Sequence, residues 1–146
     1  MRKIFVSSSV KVPYSKVVTG FNQQLLEALS PAWMNLRILK YDGQQPGDCF
    51  TMQLGTKPFS ARWEGKVIAA GSTPGSFWFE DVGIQLPFPL KFWKHRHVVR
   101  KSGTGAVIID IVSFHTGSSL LDWICYPLFR AMFTARRKKY QQYLFE

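Results

Sequence analysis

Hydrophobic residues repeat with two different periods along the chain, and these periods predict which segments form strands and which form helices. From Lys3 to Val12 alternate positions are apolar, which predicts a strand that ends at Pro13, because proline has no backbone N–H. Apolar residues then recur every three to four positions from Tyr14 to Phe21 and from Asn22 to Leu29. These two stretches predict short helices.

The middle of the chain, from about residue 36 to residue 115, alternates with a period of two and is interrupted by turn residues. Such a run predicts consecutive strands joined by short turns, and therefore an antiparallel sheet. The six strands predicted here are Leu36–Tyr41, Asp48–Leu54, Phe59–Ala70, Ser76–Gly83, Lys91–Arg100 and Ala106–His115.

The last segment, from Ser118 to about Tyr143, returns to helical spacing. Pro127 removes one backbone hydrogen bond, so we expect the helix to kink or divide there, with Tyr126 as the boundary. Strands and helices in this order predict an α+β protein in which the long helix packs on one face of the sheet. The predicted apolar stripe of the helix is Leu121, Cys125, Leu128, Met132 and Ala135.

Length and composition narrow the class of protein. We find no repeat or linker, and 146 residues is a usual size for one domain, so residues 1–146 are predicted to form a single domain. No apolar run approaches the ~20 residues of a spanning helix, and the stretch after Met1 is too short for a signal peptide. Cys49 and Cys125 belong to no metal-binding or paired-cysteine pattern. We therefore expect a cytoplasmic protein without disulfide bonds or cofactors, as a monomer or a homodimer.

The net charge of +10 favours anionic ligands, acidic partners or an anionic membrane surface. Nucleic acid is not an expected partner, because no recognition motif accompanies the charge. The main cluster of cations lies near the end of the predicted helix, where it offsets the helix dipole. We interpret this cluster as a solvated helix end, with peripheral contact to a membrane or an acidic partner as the alternative. Its members are Arg136, Arg137, Lys138 and Lys139.

Candidate polar chemistry is concentrated in two neighbouring strands. Alternation puts the imidazoles of His95 and His97 on one face of a strand, about 7 Å apart, and Asp110 interrupts the apolar strand that follows. A carboxylate there needs a partner if it faces the interior. We expect structural or pocket-lining polar groups, with a metal site or an acid–base pair as the alternatives.

Aromatic residues make up 15% of the chain and are frequent around the predicted hairpins. Trp63, Phe79, Phe88 and Trp93 are suited either to lining a pocket for an apolar ligand or to packing the core, and the pattern leaves both uses open. Phe88 lies in a proline-rich loop, where a mobile gate to a pocket would be natural.

Several motifs resemble the SRPBCC superfamily, whose helix-grip fold is shared by START domains, the birch pollen allergen family and polyketide cyclases. The likeness is to bacterial ligand-binding members of that superfamily. It implies a curved, seven-stranded antiparallel sheet, two short helices after the first strand, and a long C-terminal helix over an apolar cavity. The matching motifs are Phe79-Glu80-Asp81, the loop Leu86-Pro87-Phe88-Pro89-Leu90, the run of Trp93, His95 and His97, the turn Gly103-Thr104, and Asp110.

The resemblance also implies a function, the binding of a hydrophobic or amphipathic small molecule such as a lipid, a polyketide or an aromatic metabolite. We expect binding rather than catalysis. The alternative is a cyclase or dehydratase that uses His95 or His97 with Asp110 in the same cavity. No catalytic or metal-ligating residue is assigned. The residues predicted to bind ligand are His95, His97, Asp110, Trp63, Phe79, Phe88, Trp93, Leu128 and Met132.

Overall fold

A computed structural model describes residues 1–145 of the chain, with side chains described as far as Leu144. Over these residues the chain forms seven strands and three α-helices, and one 3₁₀ turn at Ala32–Met34 that the sequence pattern did not predict. The strands are β1 (Arg2–Val10), β2 (Arg37–Tyr41), β3 (Cys49–Leu54), β4 (Ala61–Thr73), β5 (Ser76–Gln85), β6 (Phe92–Ser102) and β7 (Gly105–His115). The helices are α1 (Tyr14–Gly20), α2 (Gln23–Leu29) and α3 (Ser119–Phe145).

The strands form one antiparallel sheet in the order β1-β7-β6-β5-β4-β3-β2. Strands β2 to β6 each pair with the next strand in the chain, and β1 pairs with β7 at the far edge. Irregular pairing interrupts β2 against β3 and β4 against β5, and such bulges bend the strands they interrupt. Helix α3 packs on β1 and β7. The predicted α+β architecture, with its seven-stranded antiparallel sheet and long C-terminal helix, is confirmed.

Two hydrophobic clusters pack between the sheet and the helices. One surrounds Tyr140 and joins β1, β6 and β7 to α1, α2 and the end of α3. The other surrounds Phe133 and joins the same three strands to Leu90 and the first half of α3. Asp110 lies on β7 between Ile108 and Val112, one from each cluster, and is 0% exposed. The strand therefore carries a carboxylate where the two apolar regions meet.

Helix α3 differs from its prediction at Pro127, because it continues through the proline as one helix. The predicted boundary at Tyr126 is wrong. Pro127 cannot donate a hydrogen bond to the carbonyl of Trp123, but both residues are exposed. Water can therefore reach that side of the helix, where the backbone bond is missing. None of the described helices is long and apolar enough to span a bilayer.

The buried stripe of α3 also differs from its prediction. Phe133, Tyr140 and Leu144 are buried, whereas Leu128 is 51% exposed and Ala135 is exposed. Moving along a helix by one residue turns the face by about 100°, so the predicted stripe lies beside the true one. The large aromatic rings bury more apolar surface than the small side chains do, and they determine which face meets the sheet.

Candidate functional site

A cavity of about 320 Å³ lies between the sheet and α3. Its wall is mostly apolar and comes from α2, the 3₁₀ turn, strands β3 to β6, the loop at residues 86–90 and the first two-thirds of α3. The charged or imidazole side chains in this wall are Asp81, His95 and Arg136. The cavity thus combines a large apolar surface with a few polar groups, which is the usual composition of a small-molecule site.

A second cavity, of about 60 Å³, lies beside the first and shares Leu26, Leu29, Phe50 and Arg136 with it. His97 and Phe79 belong to the wall of this smaller space. The two imidazoles therefore line different cavities, although they are two residues apart on β6.

The polar side chains are brought together by the pairing of three strands. Asp81 on β5 is directly opposite His95 on β6, and His97 is directly opposite Asp110 on β7. The hydrogen bonds run diagonally to this register: His95 Nε2 lies 2.9 Å from Asp110 Oδ1, and His97 Nε2 lies 2.9 Å from Asp81 Oδ2. Each imidazole thus has its own carboxylate, and the four groups form one network across the sheet.

Asp110 is the most enclosed member of this network. The hydroxyl of Tyr140 donates to its Oδ2 at 3.3 Å, and Arg136 Nη1 lies 3.7 Å from its Oδ1. Burial alone would raise the pKa of Asp110, but the hydrogen bond from His95 and the nearby positive charges outweigh burial and lower the pKa to about 2. The carboxylate is therefore ionised and acts only as an acceptor.

His95 is neutral at physiological pH for the complementary reason. Burial, followed by the neighbouring His97, lowers the pKa of His95 to about 4 against the opposing effect of Asp110. A neutral imidazole that donates Nε2–H to Asp110 keeps a lone pair on Nδ1. The His97 ring lies 3.6 Å from the His95 ring and 4.2 Å from Phe79, measured between centroids. His97 Nδ1 is buried and has no hydrogen-bond partner among the described residues.

The nine predicted ligand-binding residues fall into three groups. Most of them line the larger cavity: His95, Trp63, Phe88, Trp93, Leu128 and Met132. His97 and Phe79 line the smaller cavity. Asp110 lines neither and lies behind His95 as its hydrogen-bond acceptor.

Three further polar residues were absent from the predicted set. Asp81 shares the inward face of β5 with Phe79, so strand alternation would have pointed to it. Arg136 lies three residues after Phe133, and Tyr140 lies four residues after Arg136. This helical spacing would have placed both on the inner face of α3 once Phe133 was known to be buried. The predicted apolar stripe was on the wrong face of α3, and Arg136 and Tyr140 were therefore missed.

The interpretation of the cationic cluster as a solvated helix end is wrong for Arg136. Its side chain is 16% exposed, lines both cavities and faces Asp110. Arg137 Nε donates to the carbonyl of Ser7, and Lys139 Nζ donates to the carbonyls of residues 29 and 30. The cluster therefore ties α3 to β1 and to the end of α2. Because successive residues of a helix point about 100° apart, the individual cations lie on different sides of α3.

Asp81, His95 and His97 each offer one ligand atom, and these three atoms lie within 4.8 Å of one another. Two imidazoles and a carboxylate are ligands that zinc accepts. The two imidazole–carboxylate hydrogen bonds account for this closeness without an ion, and the guanidinium of Arg136 adds a positive charge beside them. The network is thus accounted for as a hydrogen-bonded one, and no metal is assigned to it.

No protein-family model matches the sequence, and no curated protein matches it at the sequence level. Solved structures match it over nearly its whole length. Norcoclaurine synthase from Thalictrum flavum has a TM-score of 0.70 at 16% identity, covering 99% of this chain and 87% of its own. Ara h 8.0201 has a TM-score of 0.64 at 16% identity, covering 99% of this chain and 97% of its own.

A third neighbour is StfQ, a di-domain ARO/CYC protein from the steffimycin biosynthetic pathway, with a TM-score of 0.69 at 12% identity. The match covers 97% of this chain and 50% of StfQ. These neighbours are Bet v 1-like proteins of the SRPBCC superfamily. The predicted resemblance is confirmed at the level of the fold, and identities this low establish the fold alone.

Proposed function

We propose that this helix-grip protein binds a hydrophobic or amphipathic small molecule in the larger cavity. The observation that carries the proposal is an apolar space of about 320 Å³ whose few charged and imidazole groups belong to a single buried network. That volume is at the low end of the usual range for ligand pockets, about 300 to 1,000 Å³. It favours a compact aromatic or polyketide-like molecule, or one short acyl chain, over a two-chain lipid.

The polar part of the wall suggests how the ligand is oriented. Arg136 supplies N–H donors, and the Trp63 indole N–H is buried without a partner among the described residues. A buried donor without an acceptor is unfavourable. Both features favour a ligand that carries an acceptor, such as a carboxylate, a phenolate or a carbonyl, with its apolar body against Trp93 and Met132.

A fluorescent probe tests the proposal without knowledge of the natural ligand. Neutral N-phenyl-1-naphthylamine should bind to the protein with enhanced emission. The variant Met132→Trp, which places a large ring in the cavity wall, should weaken this binding at least tenfold. Ala135→Trp is the matched control, because Ala135 is exposed on the same helix and lines neither cavity. Equal affinity in both variants, or no binding to the wild-type protein, would contradict the proposal.

The enzyme alternative rests on one specific observation, the neutral His95 in the cavity wall with ionised Asp110 behind it. In that arrangement Asp110 orients the imidazole and His95 is the group that can accept a proton from a substrate. Incubating an organic extract of the source cells with the wild-type protein and with His95→Gln, followed by mass spectrometry, separates the two functions. A carrier leaves the composition of the extract unchanged, whereas an enzyme converts a component only when His95 is present.

A further inference from the structure

The outer face of the first half of α3 is apolar and exposed. Leu120, Trp123, Ile124 and Leu128 are 66%, 63%, 53% and 51% exposed, and their spacing places them on one side of the helix. Contiguous exposed apolar surface of this kind marks an interaction site more often than isolated residues do. We call these four residues the α3 apolar face.

The α3 apolar face continues into the rim of the larger cavity. Leu128 belongs to both, and it shares the cavity wall with Phe88, which is 89% exposed, and Trp33, which is 68% exposed. These three side chains stand at the boundary between the cavity and the solvent. Whatever covers the α3 apolar face therefore also lies at the cavity opening.

The charges around this face are positive. Lys91 packs beside Gly117, just before α3, and Arg130 is exposed about one turn beyond Pro127. The Arg2 guanidinium lies 5.4 Å from the centroid of the Tyr126 ring. The one acidic residue of α3, Asp122, is buried and hydrogen-bonded to His115 and Thr116. The α3 apolar face is thus bordered by cations on the helix itself, on β1 and on the segment just before β6.

We propose that the α3 apolar face docks on an anionic phospholipid bilayer, with the cavity opening against the membrane. Apolar and aromatic side chains flanked by Lys and Arg insert at the boundary between headgroups and acyl chains, and anionic lipid attracts the nearby cations. A second copy of this chain suits the face less well, because two molecules of net charge +10 repel each other across a symmetric interface. Docking in this way lets an apolar ligand pass between bilayer and cavity without crossing water.

Sedimentation with lipid vesicles tests the proposal without any cavity ligand. We expect the protein to bind phosphatidylcholine vesicles that contain 30% phosphatidylglycerol at least tenfold more tightly than pure phosphatidylcholine vesicles, and to release them at high salt. The double variant Leu120→Ser/Trp123→Ser should lose at least tenfold in this affinity. Neither residue lines a cavity, so binding of N-phenyl-1-naphthylamine should stay unchanged. Docking and ligand binding are thereby tested separately.

Phe5→Ser is the matched control, because Phe5 is 56% exposed on the outer face of β1, away from α3. Equal loss in this control would overturn the proposal, and so would vesicle binding that the double variant leaves intact. Light scattering after size-exclusion chromatography tests whether a second copy of this chain covers the face instead. A wild-type dimer that Leu120→Ser/Trp123→Ser converts to a monomer would assign the α3 apolar face to self-association and overturn membrane docking.

Discussion

Replacing Asp110 by asparagine is the most informative single perturbation of the polar network. The amide has nearly the shape of the carboxylate but no charge, so packing is kept while the electrostatics change. Asp110, which is 0% exposed, accepts hydrogen bonds from His95 and Tyr140 and faces Arg136 at 3.7 Å. Asparagine leaves the Arg136 charge uncompensated and turns an N–H₂ group toward one of the two donors.

The expected cost follows from these contacts. Removing one partner of a buried ion pair costs about 3 to 5 kcal/mol, because the other charge stays buried without compensation. The total stability of a domain is about 5 to 15 kcal/mol, so Asp110→Asn should lower the urea midpoint markedly at pH 7. Tryptophan fluorescence can follow the unfolding, since Trp93 is 8% exposed and contacts the network through His95.

Two comparisons make this prediction specific. Glu64→Gln breaks a partly exposed pair with Arg62 at 2.9 Å and should cost less than about 1 kcal/mol. Adding Arg136→Met to Asp110→Asn should recover at least about 1 kcal/mol, because it removes the uncompensated charge. If Asp110→Asn costs no more than Glu64→Gln, or the second substitution adds to the loss, the assignment of Asp110 as the central acceptor of a buried network is refuted.

Three further outcomes are expected. Because the pKa of His95 is about 4 in the folded state and near 6.5 when unfolded, the unfolded state binds more protons between these values and stability falls on acidification. Between pH 7 and pH 4, the free energy of unfolding from urea titrations should fall by up to about 3 kcal/mol less in His95→Gln than in wild type, and parallel profiles would contradict this. Tyr140→Phe removes one hydrogen bond to Asp110 and should cost about 1 kcal/mol by the same assay, whereas no loss would mean that the bond contributes nothing. Gly65→Ala places a methyl group against the Phe50 ring and should cost about 1 to 3 kcal/mol of stability. Because Phe50 lines both cavities, the substitution should also alter probe affinity. Unchanged stability and affinity would show that the ring moves freely.

The order of the elements and the inward or outward face of each strand were predictable from the sequence. These features depend on residues only a few positions apart, and the alternation of β6 is enough to place His95 and His97 on one face. Each predicted strand end lies within three residues of the observed one. Resemblance in the motifs around Trp93 and Asp110 then indicated the correct fold.

Contacts between distant segments were decided only by the tertiary structure. Pairing β6 with both β5 and β7 determines that His95 bonds Asp110 while His97 bonds Asp81. The rotation of α3 brings Arg136 into the cavity wall, and the spacing pattern alone had placed it in solvent.

The physical reason is that a local pattern specifies which residues share a face, whereas packing determines what that face meets. Several faces of α3 are apolar enough to be buried, and the choice among them depends on how large rings fit between the sheet and the other helices. A cavity is the part of that space which no side chain fills. Its volume and its polar wall therefore emerge from the whole fold, while the seven strands and the long helix could be recognised one segment at a time.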